Sequence, residues 1–210
     1  MILDNYFIKP LALLSLLIFS SCSIKESRKT VISGNTMGTT YSITILDFNH
    51  DTAEFKKNIN ERLDVINQIF STYVNNSEIS NINQSGTDLI ELSHEFRYVL
   101  DKALHYCKIS DGYYDITVGP LIDLWGFNNI YSKAPSNSEI LDAMKNIGYN
   151  KIYMNNQFLV KKSKKVNIDL NSIAKGYGVD EVSNLIESKG YNNYLVEIGG
   201  ELRSKMMHKG

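Results

Sequence analysis

Strand-like and helix-like segments follow one another along this chain in no regular order, and that order limits the folds open to it. Thr39 to Leu46 alternates apolar and polar residues and is rich in β-formers, which predicts a strand. Behind Asp51, apolar side chains recur at spacings of three and four residues, which predicts a capped helix (Phe55, Ile59, Leu63, Ile66 and Phe70). Because these segments mix without regular βαβ alternation, we predict an α+β fold with a mixed sheet and packed helices.

The later segments fit the same architecture. A second helix is expected from Ser93 to a stop at Asp111-Gly112, and Ser136 with Glu139 predicts the capping box of a helix running to about Ile147. The further expectations are a hairpin over Lys151–Lys162 turning at Asn155-Asn156, a strand over Val166–Leu170, a helix capped by Asn171 or Ser172 that reaches Ser188, and a strand over Tyr194–Ile198. Ser71–Ser85 predicts a loop with one helical turn, and the glycine-broken Tyr113–Phe127 predicts a buried, irregular segment.

The N-terminal region has the pattern of an export signal. Leu11 to Phe19 is an apolar run of nine residues, well short of the roughly 20 residues of a bilayer span, and it matches a signal-peptide core. Small residues and then Cys22 follow, as in the lipobox of bacterial lipoproteins. We therefore expect a signal peptide (1–21), a lipidated Cys22 with a tether (22–30) and one domain (31–210), anchored to a membrane of the bacterial cell envelope and facing the periplasm or exterior. The alternative is an ordinary secretory signal with an incidental cysteine.

Several classes of site have no support in the sequence. The formal net charge is −1, so there is no electrostatic footprint for binding nucleic acid. The four histidines do not show zinc-ligand spacing, and no G-x-S-x-G nucleophile elbow occurs. With Cys22 lipidated, Cys107 is the remaining thiol, and its place in a helical pattern predicts a buried core residue.

The densest candidate for chemistry is Asn167–Asp180 (NIDLNSIAKGYGVD). A predicted strand ends at Asp169, and a helix starts directly behind it with Lys175 close to its start. Free N–H groups at a helix start and a nearby cation both favour phosphate. Gly176 and Gly178 each cost the helix about 1 kcal/mol relative to alanine, which indicates a close approach by a ligand or another backbone. The alternative is an ordinary strand-to-helix connection with a surface lysine.

Two further segments are weaker candidates. Asp111–Phe127 places polar groups in an aromatic, glycine-punctuated stretch, and a planar ring system needs apolar walls with a few fixed polar groups. Thr36–Thr39 (TMGT) precedes the first predicted strand. Core packing explains either segment equally well from composition alone.

Taken in order and at their spacing, five stretches resemble the ApbE family of FAD:protein FMN transferases. They are Met37–Ile43 (MGTTYSI), Phe70–Ser80 (FSTYVNNSEIS), Asp111–Phe127 (DGYYDITVGPLIDLWGF), Ile168–Asp180 (IDLNSIAKGYGVD) and Tyr194–Leu202 (YLVEIGGEL). The resemblance runs from about Val31 to the chain end and implies the T-fold-like architecture of that family.

The resemblance also implies an activity and a set of site residues. FAD would be cleaved at its pyrophosphate with Mg²⁺, AMP would leave, and FMN would be attached through its phosphate to a threonine of an exported or membrane-bound redox protein. Ser172 matches a metal position, and the positions that match FAD contacts are Met37, Tyr73, Tyr113, Tyr114, Asp115, Asp169 and Lys175. We expect the two phosphates to dock where the segment Ile168–Leu170 meets its helix.

One departure from the family pattern affects the expected activity. The remaining metal ligands of the family, an aspartate and a threonine, and a histidine-bearing segment match positions beyond Gly210, and His208 does not replace them. We therefore expect that the sequence is truncated and that these 210 residues bind Mg²⁺ poorly and turn over little. Two other functions stay open: an FAD pyrophosphatase that releases FMN and AMP, and a non-catalytic flavin-binding lipoprotein.

Overall fold

The computed structural model describes residues 27–127 and 134–207. Its strands are β1 (Lys29–Thr36), β2 (Thr39–Leu46), β3 (Leu89–Glu91), β4 (Ile152–Asn155), β5 (Phe158–Lys161), β6 (Tyr194–Ile198) and β7 (Glu201–Lys205). Its helices are α1 (Thr52–Phe70), α2 (Glu78–Gln84), α3 (His94–Ile109), α4 (Gly119–Leu124), α5 (Asn137–Met144) and α6 (Asn171–Ser188). None of the helices so described combines the length and the hydropathy that crossing a bilayer requires.

The predicted α+β class is confirmed, with two sheets and helices packed against them. One sheet has four strands in the order β1-β2-β6-β7, and the other has three in the order β3-β5-β4. Every strand pair within residues 27–127 and 134–207 is antiparallel, which differs from the predicted mixed sheet. Lys29 and Thr30, assigned above to the tether, pair with β2 as the start of β1. The signal peptide and Cys22 lie outside the described residues.

The four-stranded sheet buries one face because its apolar side chains alternate along each strand. Helices α1 and α6 cover this face, and α1 contributes three of the five apolar positions predicted from its spacing. The buried residues of this core include Tyr41, Ile43, Ile45, Phe55, Ile59, Leu63, Val182, Val196 and Ile198. The spacing of α1 therefore places one helix face on the sheet, as the period of 3.6 residues requires.

A second core lies beside the first and is built from α2, α3, the three-stranded sheet and the end of α1. Phe70 of α1 stacks on Phe96 of α3 with ring centroids 5.6 Å apart. Cys107 is fully buried in this core, which confirms its predicted role. Met37, in the turn between β1 and β2, contacts both cores. The junction of the two cores is where the candidate site lies.

The helix starts predicted behind Asp51, Ser93 and Ser136 are confirmed, and each has a side-chain cap. The carboxylate of Asp51 accepts hydrogen bonds from the N–H groups of Ala53 and Glu54, and Ser93 accepts one from Phe96. Ser136 and Glu139 form the expected capping box. Helix α5 ends at Met144, three residues before the predicted end at Ile147. The chain changes direction at Gly148, whose φ is 140°.

The predicted strand over Val166–Leu170 is wrong. The segment does not pair with a strand. Instead, the side chain of Asn83 accepts a hydrogen bond from the N–H of Ile168 and donates one to the carbonyl of Ile168, both at 2.8 Å. The N–H of Asp169 donates to the carbonyl of Ile116. Non-local bonds of this kind satisfy the backbone without a sheet, and no local pattern announces them.

Three other local predictions need correction. Helix α6 starts at Asn171, so neither Asn171 nor Ser172 is its N-cap; the cap position is Leu170, which makes no side-chain capping bond. The segment after Phe70 holds the seven-residue helix α2 rather than one turn. The hairpin β4–β5 turns one residue later than predicted, around Asn156 at φ 54°.

The segment Tyr113–Phe127 also differs from its prediction. Its central residues Ile116 and Thr117 are buried, but α4 makes six of its residues regular, and Tyr113 and Phe127 are 98% and 77% exposed. Pro120 stands in the first turn of α4, where its missing N–H costs nothing. The segment is therefore a surface turn and a short helix around a small buried centre.

A single arginine joins three helices. Arg62 of α1 binds both carboxylate oxygens of Glu95 on α3, at 3.2 and 2.7 Å, and donates to Glu181 on α6 at 3.1 and 2.7 Å. The hydroxyl of Tyr177 donates to Glu95 at 2.9 Å. Hydrogen bonds from Arg62 lower the pKa of Glu95 below its ordinary value. This cluster, the Arg62 network, fixes α6 against α1 and α3.

Candidate functional site

The start of helix α6 lies between three clefts. The first, the Met37 cleft, has a volume of about 220 Å³ and separates α6 from the end of α1 and the turn between β1 and β2. Three predicted site residues, Met37, Tyr73 and Lys175, line it together. The other lining residues are Gly38, Ile66, Asn67, Phe70, Ser71, Val74, Asn171 and Ala174. The structure therefore brings together residues that are 138 positions apart in sequence, from 37 to 175.

Met37 is held in an unusual backbone conformation. It occupies the first position of the two-residue turn between β1 and β2 with φ 48°, and Gly38 follows with φ 70°. A left-handed residue that is not glycine costs about 1–2 kcal/mol. Both positions of this turn need positive φ, and asparagine and glycine are the residues that usually fill it. Strain of this kind is concentrated at sites where a side chain has a task.

Tyr73 supplies an exposed aromatic wall. Its side chain is 69% exposed at the rim of the Met37 cleft. The loop that carries it is fixed by Ser77, whose hydroxyl donates to the carbonyl of Ser71 at 2.6 Å and whose N–H donates to Val74. An exposed ring on a fixed loop offers a flat apolar face to a planar ligand.

Lys175 places a cation at the other side of the same cleft. Its Nζ lies 3.9 Å from Oε1 of Glu201, a contact too long to be a strong hydrogen bond. Oε2 of Glu201 is buried and has no hydrogen-bond partner in the described part of the chain. A Cβ on Gly199, whose φ is 57°, would lie 2.8 Å from the Cγ2 of Thr39 and 3.2 Å from the Cδ of Lys175, so the missing side chain leaves room for both residues. The ammonium is thus positioned beside the cleft without a tight partner.

Asp169 lines a second cleft, the Asp169 cleft, of about 220 Å³. Most of its lining is polar, including Thr72, Asn83 and Asn167. The Asp169 carboxylate accepts from the N–H of Asn171 at 2.8 Å and from its amide nitrogen at 3.0 Å. The amide nitrogen of Asn171 also lies 3.4 Å from the hydroxyl of Thr72, so Asn171 contacts both clefts.

The backbone donors at the start of α6 are mostly used within the chain. The N–H of Asn171 donates to Asp169, and those of Ile173 and Ala174 donate to the carbonyl of Leu170. This helix start therefore offers fewer free donors than the sequence predicted, and the cation nearest to the Met37 cleft is Lys175.

Tyr114 and Ser172 meet on the opposite side of α6. The Tyr114 hydroxyl lies 2.9 Å from Oγ of Ser172, and both line a third cleft of about 470 Å³ with Tyr106 and Ile173. Burial raises the pKa of Tyr114 above its ordinary value, so its hydroxyl stays protonated at neutral pH. The cleft continues into a groove of about 590 Å³ beside β7.

Two predicted FAD contacts lie apart from these clefts. Asp115 is used within the chain: its Oδ1 accepts from the N–H and the hydroxyl of Thr117 at 2.8 and 2.6 Å, and its Oδ2 accepts from the N–H of Tyr149 at 2.8 Å. Tyr113 projects into solvent. The structure gives Asp115 the role of fixing the loop that carries Tyr114.

Sequence reasoning missed several residues that line the clefts. Phe70 was predicted only as the last apolar position of α1, and its contact with the Met37 cleft follows from where that helix ends. Asn83 and Thr72 in the Asp169 cleft belong to a segment predicted as loop. In the sequence, Asn83 is a polar residue next to the apolar Ile82. That pattern fits a residue on a solvated surface as well as one in a binding site.

The side chains described here do not form a magnesium site by themselves. No group of three or more His, Cys, Asp or Glu residues converges as a metal site in 27–127 and 134–207. Ser172, the predicted metal position, bonds to Tyr114. Mg²⁺ is often held by one or two protein groups together with substrate phosphates, so a sparse donor set is compatible only with an ion that arrives with a phosphate ligand.

Comparison with known proteins gives a consistent result. The model of the ApbE family matches residues 37–209. The FAD:protein FMN transferase of Haemophilus influenzae is 38% identical over 192 residues, which are 86% of this chain and 56% of the relative. The FAD:protein FMN transferase of Vibrio cholerae is 35% identical over 203 residues, 94% of this chain and 60% of the relative.

Solved structures show the same similarity in three dimensions. The flavin transferase ApbE from Vibrio cholerae superposes with a TM-score of 0.83 at 33% identity, over 87% of this chain and 61% of that one. The flavinyl transferase ApbE from Pseudomonas stutzeri gives a TM-score of 0.80 at 27% identity, over 86% and 62%. The chain thus spans 56–60% of the length of the two curated relatives named above.

Proposed function

The chain belongs to the ApbE family, and on that premise we propose that it transfers FMN from FAD to a protein hydroxyl. The relatives named FAD:protein FMN transferase support this activity. The proposed acceptor is a threonine of an exported or membrane-bound redox protein, AMP is the second product, and the reaction requires Mg²⁺.

The observation that carries the proposal is the convergence of Met37, Tyr73 and Lys175 on one cleft with the polar Asp169 cleft adjoining it through Asn171 and Thr72. FAD consists of a planar ring system, a ribityl chain, two phosphates and an adenosine. The thioether and the exposed ring suit the planar system, and the ammonium suits the phosphates. The polar cleft suits the hydroxyl and amino groups of the adenosine, which donate to carboxylates such as Asp169.

The chemistry of the proposed step is phosphoryl transfer. The threonine oxygen attacks the phosphorus of the FMN half and forms a new P–O bond. The bond from that phosphorus to the bridging oxygen breaks, AMP leaves with that oxygen, and the threonine proton passes to water. Positioning and charge neutralisation are the main requirements of such a reaction. Lys175 would hold the diphosphate and offset its charge, and Mg²⁺, when bound, supplies further neutralisation.

We also propose that the protein acts at the bacterial cell envelope through a lipid on Cys22. This part rests on the apolar run and the cysteine of the N-terminal sequence, which lie outside the described residues. A membrane location matches an acceptor that is itself exported. Metabolic labelling with a clickable fatty acid tests it: Cys22→Ser should abolish the label, and a labelled variant would contradict the proposal.

The activity is tested with FAD, MgCl₂ and a threonine-containing acceptor peptide. For the protein as its host cell produces it, we expect covalent flavin on the peptide by mass spectrometry, AMP by chromatography, and loss of both with EDTA. Free FMN and AMP without a modified peptide would favour the pyrophosphatase alternative. Binding of FAD without AMP production would favour a flavin-binding protein, and no binding of FAD would reject the proposal altogether.

Asp169→Asn should weaken the binding of FAD much more than the binding of FMN. The substitution keeps the size of the side chain but replaces a charged acceptor by a neutral one, and it turns an NH₂ group towards the amide of Asn171. Because charged hydrogen bonds exceed neutral ones by about 1–1.5 kcal/mol, we expect Kd for FAD to rise about tenfold. Kd for FMN should stay within twofold, since FMN lacks the adenosine. Equal weakening of both ligands, measured by flavin fluorescence, would contradict this placement of the adenosine.

A further inference from the structure

Helix α6 contains a glycine where it passes beneath Met37. Gly178 is buried, and a Cβ built on it would lie 3.2 Å from the terminal methyl Cε of Met37. The other neighbours of that Cβ, the Cδ1 of Ile198 and the Cδ2 of Leu63, lie at 3.6 Å, an ordinary van der Waals distance. The tight contact at Gly178 is therefore with the end of one flexible side chain, and that side chain lines the Met37 cleft.

Helix propensity alone does not explain this glycine. Gly178 lies in the middle of the 18-residue helix α6, where glycine is less favourable than alanine by about 1 kcal/mol. Its φ is not in the left-handed region, so its backbone does not require glycine. The close approach of Met37 is the reason that the structure supplies for the missing side chain.

Met37 itself is costly to place. Its left-handed backbone and its contact with both cores fix where its side chain can go, and the remaining freedom is at its terminal atoms. A methyl group at position 178 would push these atoms by several tenths of an ångström. Because the Met37 side chain is part of the cleft wall, such a shift changes the shape of the cleft.

We propose that Gly178 is a positioning residue: it seats the Met37 side chain at the depth that leaves the Met37 cleft open for the planar ring system of a flavin. The inference rests on the proposed function, since it assigns the flavin to that cleft. Gly178 contacts no ligand in this proposal and acts through Met37.

The same helix offers a matched control. Gly176 lies two residues before Gly178, and a Cβ there meets nothing within 4 Å. The sequence predicted a close approach by a ligand or another backbone at these glycines, and what the structure places against Gly178 is instead a side chain, that of Met37. Gly176→Ala thus adds the same methyl group and the same gain in helix propensity without moving Met37.

The test compares FAD binding and thermal unfolding of Gly178→Ala and Gly176→Ala. We expect Gly178→Ala to raise Kd for FAD about tenfold with a Tm equal to or above that of the wild type. Gly176→Ala should raise Tm by about 2–4 °C and leave Kd within twofold. The split between affinity and stability distinguishes a positioning role from core packing.

A double-mutant cycle with Met37→Ala identifies the route of the effect. Once the Met37 side chain is shortened, adding Gly178→Ala should change Kd by less than twofold, because there is no thioether left to displace. Additive effects in the cycle would overturn the inference. So would wild-type Kd in Gly178→Ala, or a loss of more than about 5 °C in its Tm. If the wild-type chain binds no FAD, the proposed function fails instead, and the two failures are distinguishable.

Discussion

Lys175→Met should weaken the binding of FAD by about 10- to 100-fold. The ammonium lies beside the Met37 cleft with Glu201 at 3.9 Å as its ion-pair partner, so it is available to a diphosphate. A hydrogen bond to a charged group contributes about 1.5–3 kcal/mol, which corresponds to this range of affinity. Methionine keeps the length and the packing of the side chain and removes only its charge. Titration of flavin fluorescence at constant ionic strength measures the effect.

Two further variants make the result interpretable. Lys175→Arg keeps the charge and should recover most of the affinity, although its planar head binds phosphate with different geometry. Lys189→Met removes one charge from the exposed end of the same helix and should leave Kd within twofold. Riboflavin, which has no phosphate, should bind Lys175→Met and the wild type equally. An unchanged Kd for FAD in Lys175→Met would show that Lys175 does not bind the diphosphate.

Arg62→Met should lower the free energy of unfolding by about 2–3 kcal/mol. The guanidinium binds Glu95 and Glu181 at once, and all three side chains are between 23% and 31% exposed. Removing the arginine leaves two carboxylates facing each other without a cation. The loss lies between the 0–1 kcal/mol of exposed ion pairs and the 3–5 kcal/mol of fully buried pairs. Urea unfolding at pH 7 gives the value directly.

The control for this prediction lies on the same helix. Lys57 pairs with Glu61 one turn away, and both side chains are more than 60% exposed. Lys57→Met should therefore cost less than about 0.5 kcal/mol. A comparable loss in the two variants would show that the Arg62 network does not differ from a surface ion pair.

The cost of Arg62→Met should depend on pH. The folded-state pKa of Glu95 is lowered below its unfolded value of 4.5. Its contribution to stability is therefore fully present above that unfolded value and is lost as pH falls through the lower, folded value. The difference between the wild type and Arg62→Met should shrink as pH falls below 4.5. A difference that stays constant through this window would indicate that packing, and not charge, is what the arginine provides.

The sequence predicts those parts of the fold that depend on neighbours along the chain. Asp51, Ser93 and Ser136 cap their helices with side chains that reach only two or three residues ahead, so pattern and outcome agree. The apolar spacing of α1 fixes its buried face in the same way. The strand predicted over Val166–Leu170 is wrong because strands need a partner, and Asn83 supplies other bonds from 85 residues away.

In the candidate site, too, the sequence predicts what neighbouring residues determine and does not predict what distant partners determine. Met37, Tyr73 and Lys175 were assigned by resemblance, and only the fold places them around one cleft. Asp115 matches a ligand contact by resemblance, and the fold shows that its two oxygens accept hydrogen bonds from Thr117, two residues ahead, and from Tyr149, a distant partner that no local pattern reveals. The glycine signal in α6 was ambiguous because an unfavourable residue type marks a close approach without naming the approaching group. Its meaning depends on the left-handed turn that holds Met37 above the helix.

Several contacts of this fold join early and late parts of the chain, and this order matters during synthesis. Arg62 and Glu95 are 33 residues apart, whereas Arg62 and Glu181 are 119 apart. During vectorial synthesis the arginine meets its nearer partner first, and the second carboxylate arrives only when α6 has left the ribosome. The central strand β6, which pairs Ile198 with Tyr41, emerges later still. The edge of β2 that faces β6 therefore stays unpaired until β6 has been synthesised, and an unpaired strand edge is a template for pairing with another chain.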